Sequence, residues 1–355
     1  MIQAQRILDR LTRSDKTPSV HYIHFTGENV IYEYKNGVAN IKTGKSITEK
    51  SLFHACSVTK TLTALAILQL EQSGKLNIEK PVKLYWPEFA YPGDITIHQL
   101  LCHTAGIPNP IPLRWIHLAD EHSSFDRNAF FKPVFEKYRT VKTAANEKFS
   151  YSNLGYVLLG QLIEQISGGT YEQFITENVV RKLELQPGEL GFIIDPANNV
   201  TGYQKSRSFM NMLLGFFLDK SKFMEKAEGK WKPFKDFYIN GSSYGGLIGT
   251  ANSFRKYVQS LLQANSSLIS DEYKRRLFTE NHTNDGRATG MCLSWFSGKL
   301  NGIKYFAHPG GGGGYYCELR VYPEADRGSV IMFNRTGISN EKFLDRVDEF
   351  FLRKS

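Results

Sequence analysis

Residues 54–76, HACSVTKTLTALAILQLEQSGKL, decide how this chain is read. Leu62, Leu65, Ala66, Ile67, Leu68 and Leu70 supply a broad apolar surface at helical spacing, and Gly74 stands where a helix would stop. Ser57 and Lys60 sit at the front of that run. Residues three apart share a helix face, so serine and lysine are neighbours. A lysine facing a core is costly unless it is neutral. Burial and the positive end of the helix both lower its pKa. A neutral amine beside a serine hydroxyl can take its proton, which is what a serine nucleophile needs. Taken alone, the tetrapeptide fits a solvated, serine-capped first turn as well.

The bulk properties narrow the classes. The 355 residues are 41% hydrophobic and 22% charged, a globular composition long enough for a substantial core. The net charge of +9 is spread along the chain, and no nucleic-acid-binding motif accompanies it. Cys56, Cys102, Cys292 and Cys317 show no CxxC spacing, so free thiols in a reducing compartment are expected. The first 16 residues, MIQAQRILDRLTRSDK, are amphipathic and lack the apolar stretch of a secretory signal. A soluble cytoplasmic protein without a transmembrane segment is the expectation.

Outward from residues 54–76, both ends of the chain read as strands. Residues 20–42 alternate apolar and polar positions around two turn signals, Gly27-Glu28-Asn29 and Asn36-Gly37, which predicts a hairpin with a third short strand. Residues 291–335 predict three or four more strands. Between them, ITIHQLLCHTAGIP predicts a short helix ended by Gly106 and Pro108, and residues 150–185 predict two helices broken at Gly168-Gly169. Further helices are expected from Ser253 to Ala264 and from Asn340 to Leu352. This is an α+β pattern: one antiparallel sheet built from both termini, flanked by helices, with a helical lobe inserted. The expected division is 1–84 and 246–355 for the sheet lobe and 85–245 for the mainly helical lobe.

Two more stretches carry chemistry. Tyr151-Ser152-Asn153 precedes an apolar helix. A tyrosine there can shuttle a proton if cations depress its pKa, and Asn153 offers an amide to a substrate carbonyl or to Lys60. An ordinary N-cap explains the same residues. His308-Pro309-Gly310 runs through Gly311 to Gly314 into a strand, YYCELRVY. A phosphate-binding glycine loop would lead into a helix instead, which leaves close backbone approach or a hairpin loop.

Three other features have bland readings. Gly241-Ser242-Ser243-Tyr244-Gly245 matches a nucleophile elbow, but no helix follows at once and no βαβ units precede it. His98, Cys102 and His103 could meet on one helical turn, yet no fourth metal ligand is evident, and His103 suits a structural role at the helix end. Residues 207–223, rich in Phe, Met and Leu beside basic residues, read as core of the helical lobe, or as a lid or a membrane-surface helix.

Ser57-x-x-Lys60, Tyr151-x-Asn153 and His308-x-Gly310, in this order and separation, resemble the three motifs of the serine β-lactamase/penicillin-binding superfamily. The likeness is to its class C branch, which includes D-amino-acid peptidases and lactamase-like esterases, and it extends over roughly residues 18–335. The resemblance implies a β-lactamase/transpeptidase-like fold and an acyl-enzyme mechanism without metal or cofactor. Ser57, Lys60 and Tyr151 would be catalytic. Asn153, His308, Gly310 and Gly311 would bind substrate or its oxyanion. His308 stands where most true lactamases have lysine, and Pro309 where they have a hydroxyl residue, so the grip on a substrate carboxylate is weakened. That departure favours an esterase acting on a small-molecule ester or amide over a D-amino-acid peptidase, penicillin-binding enzyme or weak β-lactamase. A catalytically inactive ligand-binding protein is the reading from another class. Oligomeric state is not legible in the sequence.

Overall fold

The computed structural model describes residues 1–336 and 343–352. Seven antiparallel strands form the main sheet: β1 (Ser19–Phe25), β2 (Val30–Asn40), β3 (Lys45–Ser46), β4 (Phe296–Leu300), β5 (Ile303–Gly312), β6 (Tyr315–Tyr322) and β7 (Arg327–Phe333). Their spatial order is β4-β5-β6-β7-β1-β2-β3. The pairing of β1 with β7, Val20 opposite Phe333 through Phe25 opposite Gly328, joins the two ends of the chain. The helices that matter for the site are α1 (Ile2–Arg13), α2 (Thr59–Gln72), α3 (Ile97–Leu101), α4 (Asn153–Ser167), α5 (Phe209–Phe217) and α6 (Ala251–Leu262).

The sheet is covered on both faces, which is why every residue of β1 and β6 is buried. On one face Val20, Tyr22, Tyr316, Ile331 and Phe333 pack with Ala4 and Leu8 of α1 and with Phe343, Leu344 and Val347. On the other, Ile23, Phe25, Cys317, Leu319 and Val330 join the large core that contains α2 and α6. Helix α2 is buried at every position except Gln69 and Gln72, so it runs through the core rather than along its surface. Its threonine hydroxyls are satisfied locally: Thr59 donates to Cys56 O at 2.7 Å and Thr61 to Val58 O at 2.8 Å.

Most expected elements are present, with shifts that have identifiable causes. Asn36-Gly37 is not a turn. Gly37 (φ +99°) lies within β2 opposite Ser19, and a Cβ on it would stand 2.1 Å from Pro18 O. The glycine permits close strand approach there, and the chain reverses later, around Gly44. Helix α3 ends before Gly106 because His103 (φ +58°) already leaves the helical region. Helix α6 starts two residues early, since Thr250 accepts the N–H of Ser253 at 3.0 Å as its cap. Of the helix expected from Asn340 to Leu352, residues 340–342 lie outside the described residues, and only Asp345–Asp348 is helical thereafter. The segment between the two strand-rich ends also carries short ladders, Ile116–Leu118 with Phe237–Ile239 and Tyr203–Lys205 with Trp231–Pro233. All four cysteines are free and buried.

Strand β5 sets the site because it passes directly over the turn Cys56–Val58. A Cβ on Gly310 would lie 2.2 Å from Ala55 O and 2.8 Å from Ser57 N, so only glycine lets the strand approach this closely. The sheet's outer face holds the other constraint. Asp348, fully buried, accepts from Tyr22 (2.7 Å), Tyr322 (2.7 Å) and Ser329 (2.7 Å), with His24 Nδ1 3.8 Å away. Burial alone would raise its pKa; the contacts with His24, Arg320 and Tyr22 outweigh burial and hold it below the ordinary 3.8.

Two outcomes follow from this packing. Gly310→Ala forces strand and turn apart and lowers stability by about 1–3 kcal/mol, measured by thermal unfolding. A depressed carboxyl pKa adds stability above the unfolded-state value and loses it as pH falls through the folded value. Asp348→Asn therefore destabilises the protein near neutrality and flattens the loss of stability on acidification, both read from denaturant midpoints across pH.

Candidate active site

The turn carrying Ser57 begins with Cys56 at φ +49°, a left-handed conformation that a non-glycine residue adopts at a cost of about 1 kcal/mol. The turn leads into α2, whose second residue is Lys60. The Lys60 amine lies 3.1 Å from Ser57 Oγ and donates to the carbonyl of Tyr244 at 2.7 Å. Three tyrosine rings enclose it, with centroids 5.1 Å (Tyr151), 5.6 Å (Tyr156) and 5.3 Å (Tyr244) away. Burial holds its pKa well below the usual lysine value, and the neighbouring Cys56 opposes the shift to a smaller extent. The shift favours the neutral amine, the form that carries a lone pair.

Tyr151 and Asn153 reach the site from the start of α4. The helix is capped by Ser152, whose hydroxyl accepts from Gly155 N at 3.0 Å. The Tyr151 hydroxyl is buried and hydrogen-bonded to Ser57, and its ring packs 4.3 Å from that of His103. Burial raises its pKa despite the Ser57 contact. A tyrosine depressed by cationic neighbours, the condition the sequence reading set, is not found: burial dominates, with Cys56 adding to it, so Tyr151 is a neutral phenol. Asn153 lines the cavity before Ser57, but its amide is held by Asn109 Oδ1 at 3.2 Å rather than by Lys60.

His308 lies on β5 with no exposed surface. Its Nδ1–H donates to the carbonyl of Ser294, which leaves Nε2 as a lone-pair acceptor without a protein partner. Burial, reinforced by the neighbouring Lys60, pushes its pKa down to about 3. The sequence reading placed a titratable charge at this position; the structure removes it, because no carboxylate compensates the lost hydration. Gly310 and Gly311 follow on the same strand, and Gly311 lines the cavity with Ser57.

That cavity, of about 150 Å³, is walled mainly by apolar side chains, among them Leu113, Ile116, Leu218, Phe234, Phe237 and Tyr244. Among the described residues, no Arg, Lys or His lines it. Three residues of this arrangement escape sequence reasoning. Tyr244 supplies a carbonyl to Lys60 and a ring to the cavity, and its only signal was the Gly241–Gly245 motif read for its serine. Asn109 and Ser294 orient Asn153 and His308 from loops with no local signature. Ser243 is buried and donates to Tyr156 O at 2.8 Å, away from the Ser57 cluster. Cys102 Sγ approaches His98 Nε2 at 3.6 Å, while His103 turns away to accept Ser152 N–H at 3.1 Å.

Comparison with known proteins places this geometry. The Beta-lactamase family matches residues 4–350. Penicillin-binding protein 4* of Bacillus subtilis (strain 168) is 24% identical over 322 residues, which are 87% of this chain and 66% of that protein. The chain thus spans just under two thirds of that relative's length. An octameric penicillin-binding protein homologue from Pyrococcus abyssi superposes with a TM-score of 0.76 at 22% identity, covering 98% of this chain and 76% of the other. A class C beta-lactamase superposes with a TM-score of 0.75 at 17% identity, covering 100% and 96%. With a match over nearly its whole length, the chain belongs to the Beta-lactamase family of serine hydrolases.

Proposed function

We propose that the protein is an esterase that works through an acyl-enzyme on Ser57. The observation that supports this most directly is the uncharged Lys60 amine 3.1 Å from Ser57 Oγ. As Ser57 Oγ bonds to the ester carbonyl carbon, its proton passes to Lys60 Nζ. The oxyanion accepts hydrogen bonds from the backbone N–H groups of Ser57 and Gly311, each contributing about 3 kcal/mol to transition-state stabilisation. When the tetrahedral adduct collapses, the ester C–O bond breaks and the alkoxide takes a proton from Lys60 through the Tyr151 hydroxyl. Tyr151 relays in this scheme, and Lys60 is the base, because only the amine has a pKa moved toward neutrality. Water attacks the acyl-enzyme by the reverse proton path.

The choice of an ester without a carboxylate rests on the cavity's lack of a cation and on the neutral His308. A D-amino-acid peptidase would need an anchor for its substrate's carboxylate, and Asn153 offers only a neutral amide. In this reading the segment 85–245 contributes Tyr151, Asn153 and Tyr244, and residues 1–84 and 246–355 contribute Ser57, Lys60 and His308. The site then lies between two lobes with those boundaries.

A fluorophosphonate should add covalently to the protein, as seen by intact mass, and Ser57→Ala should abolish the adduct; an unchanged adduct in that variant would falsify the assignment. Lys60→Ala should slow acylation by about 10²–10⁴-fold. The neutral base is present above its depressed folded pKa, so the acylation rate should be flat on the alkaline side of neutrality and fall only as pH drops through that value. A rise that continues up to the ordinary lysine range would contradict the proposed base. p-Nitrophenyl butyrate should be hydrolysed faster than nitrocefin or a D-alanyl peptide, and the opposite order would favour the peptidase or lactamase reading.

A further inference from the structure

We propose that helix α5 and its basic surroundings form a docking surface for anionic lipid bilayers. Met212 (58% exposed) and Phe216 (70% exposed) stand one turn apart on the solvent side of α5. The helix is tied to the chain that walls the cavity: Arg114 Nε donates to Phe217 O at 3.0 Å, and Arg114 Nη2 to Phe216 O at 3.4 Å. Just before that arginine, Ile111 is 56% exposed. Pro112, Leu113 and Leu218, the residues next to these exposed side chains, line the cavity before Ser57. Three large apolar side chains thus lie in water beside the active-site mouth. Each would gain from leaving it.

The charge around them selects the partner. Residues 205–235 hold eight Lys/Arg against three Asp/Glu, more than half of the chain's net charge of +9. Lys220 donates to the Asn211 carbonyl of α5 and packs close enough to Lys232 for the second ammonium to lower its pKa, after burial. Such crowding of like charge is relieved by an anionic surface and worsened by a second copy of the same patch. Met212 and Phe216 also present far less area than the roughly 1,200 Å² that a stable protein interface buries. Lys222 and Lys230 are paired with Glu121 and Asp15, but Lys220 and Arg114 hold the carbonyls of α5 itself. Apolar anchors on a helix flanked by these two cations suit the headgroup region of a bilayer, where rings and acyl chains meet phosphate. The inference rests on no catalytic assignment.

Flotation of the full chain with vesicles tests it. Binding is expected to vesicles of mixed phosphatidylglycerol and phosphatidylcholine and not to phosphatidylcholine alone, and salt should reverse it. Phe216→Asp should weaken binding about tenfold and leave the thermal melt unchanged, since the side chain is exposed. Lys226→Glu, on an exposed residue of the same stretch, should weaken it several-fold. Should Phe216→Asp perturb the melt, Phe216→Ser carries the same expectation. Failure to bind the anionic vesicles, equal binding to phosphatidylcholine alone, or unaltered binding by both Phe216 variants would overturn the proposal. A dimer that dissociates on Phe216→Asp, seen by sedimentation, would overturn it in favour of a second copy.

Discussion

The desolvation of one amine organises this structure. Lys60 sits on a helix buried at nearly every position, and among the described residues no carboxylate pairs with its amine, so burial disfavours the ammonium. The neutral form survives there because it finds the Tyr244 carbonyl, the Ser57 hydroxyl and three aromatic rings. Those partners come from segments far apart in the chain. The short helical turn Ser242–Gly245 is accordingly clamped to α2, with Thr63 donating to Ser243 O at 2.6 Å and Leu247 N–H donating to Thr59 Oγ1 at 3.1 Å. Loss of that clamp would leave a buried amine without its acceptor, so the integrity of the core and the reactivity of the site are the same constraint.

The sheet supplies the second half of the arrangement. Joining β1 to β7 makes one sheet from both ends of the chain, and that sheet brings β5 across the Ser57 turn. Closeness is bought with glycine at 310, where any side chain would strike the Ala55 carbonyl. The same enclosure lowers the pKa of both Lys60 and His308, and for His308 the nearby lysine adds to the effect of burial. Such a site sets a lysine with lowered pKa beside Ser57 and, among the described residues, lines the cavity with no Arg, Lys or His. Its apolar wall and its missing charge are two consequences of one exclusion of water.

The three motifs were legible because each sits at an element boundary that local rules mark: a serine opening an apolar helix, a cap before α4, a glycine run in a strand. The α+β pattern was legible for a similar reason, since strand alternation and helical periodicity are written within ten or fifteen residues. Asn36-Gly37 shows where local rules fail. The dipeptide has the chemistry of a turn, but a neighbouring backbone at Pro18 needs the glycine inside β2. Asn109, Ser294 and the Tyr244 carbonyl were illegible because their roles are backbone or second-partner contacts to residues 44, 14 and 184 positions away, with no periodic signal to mark them.

By itself the sequence determined that Ser57 and Lys60 are neighbours at the head of a helix, and most of the strands and helices around them, because spacing on a helix or strand is a local property. Tertiary structure alone decided the charge on Lys60, Tyr151 and His308. Protonation depends on how much water and which charges surround a group, and distant segments decide that when they close over it. The departure at His308-Pro309 thus looked like a weakened cation in the sequence and is no cation in the folded protein.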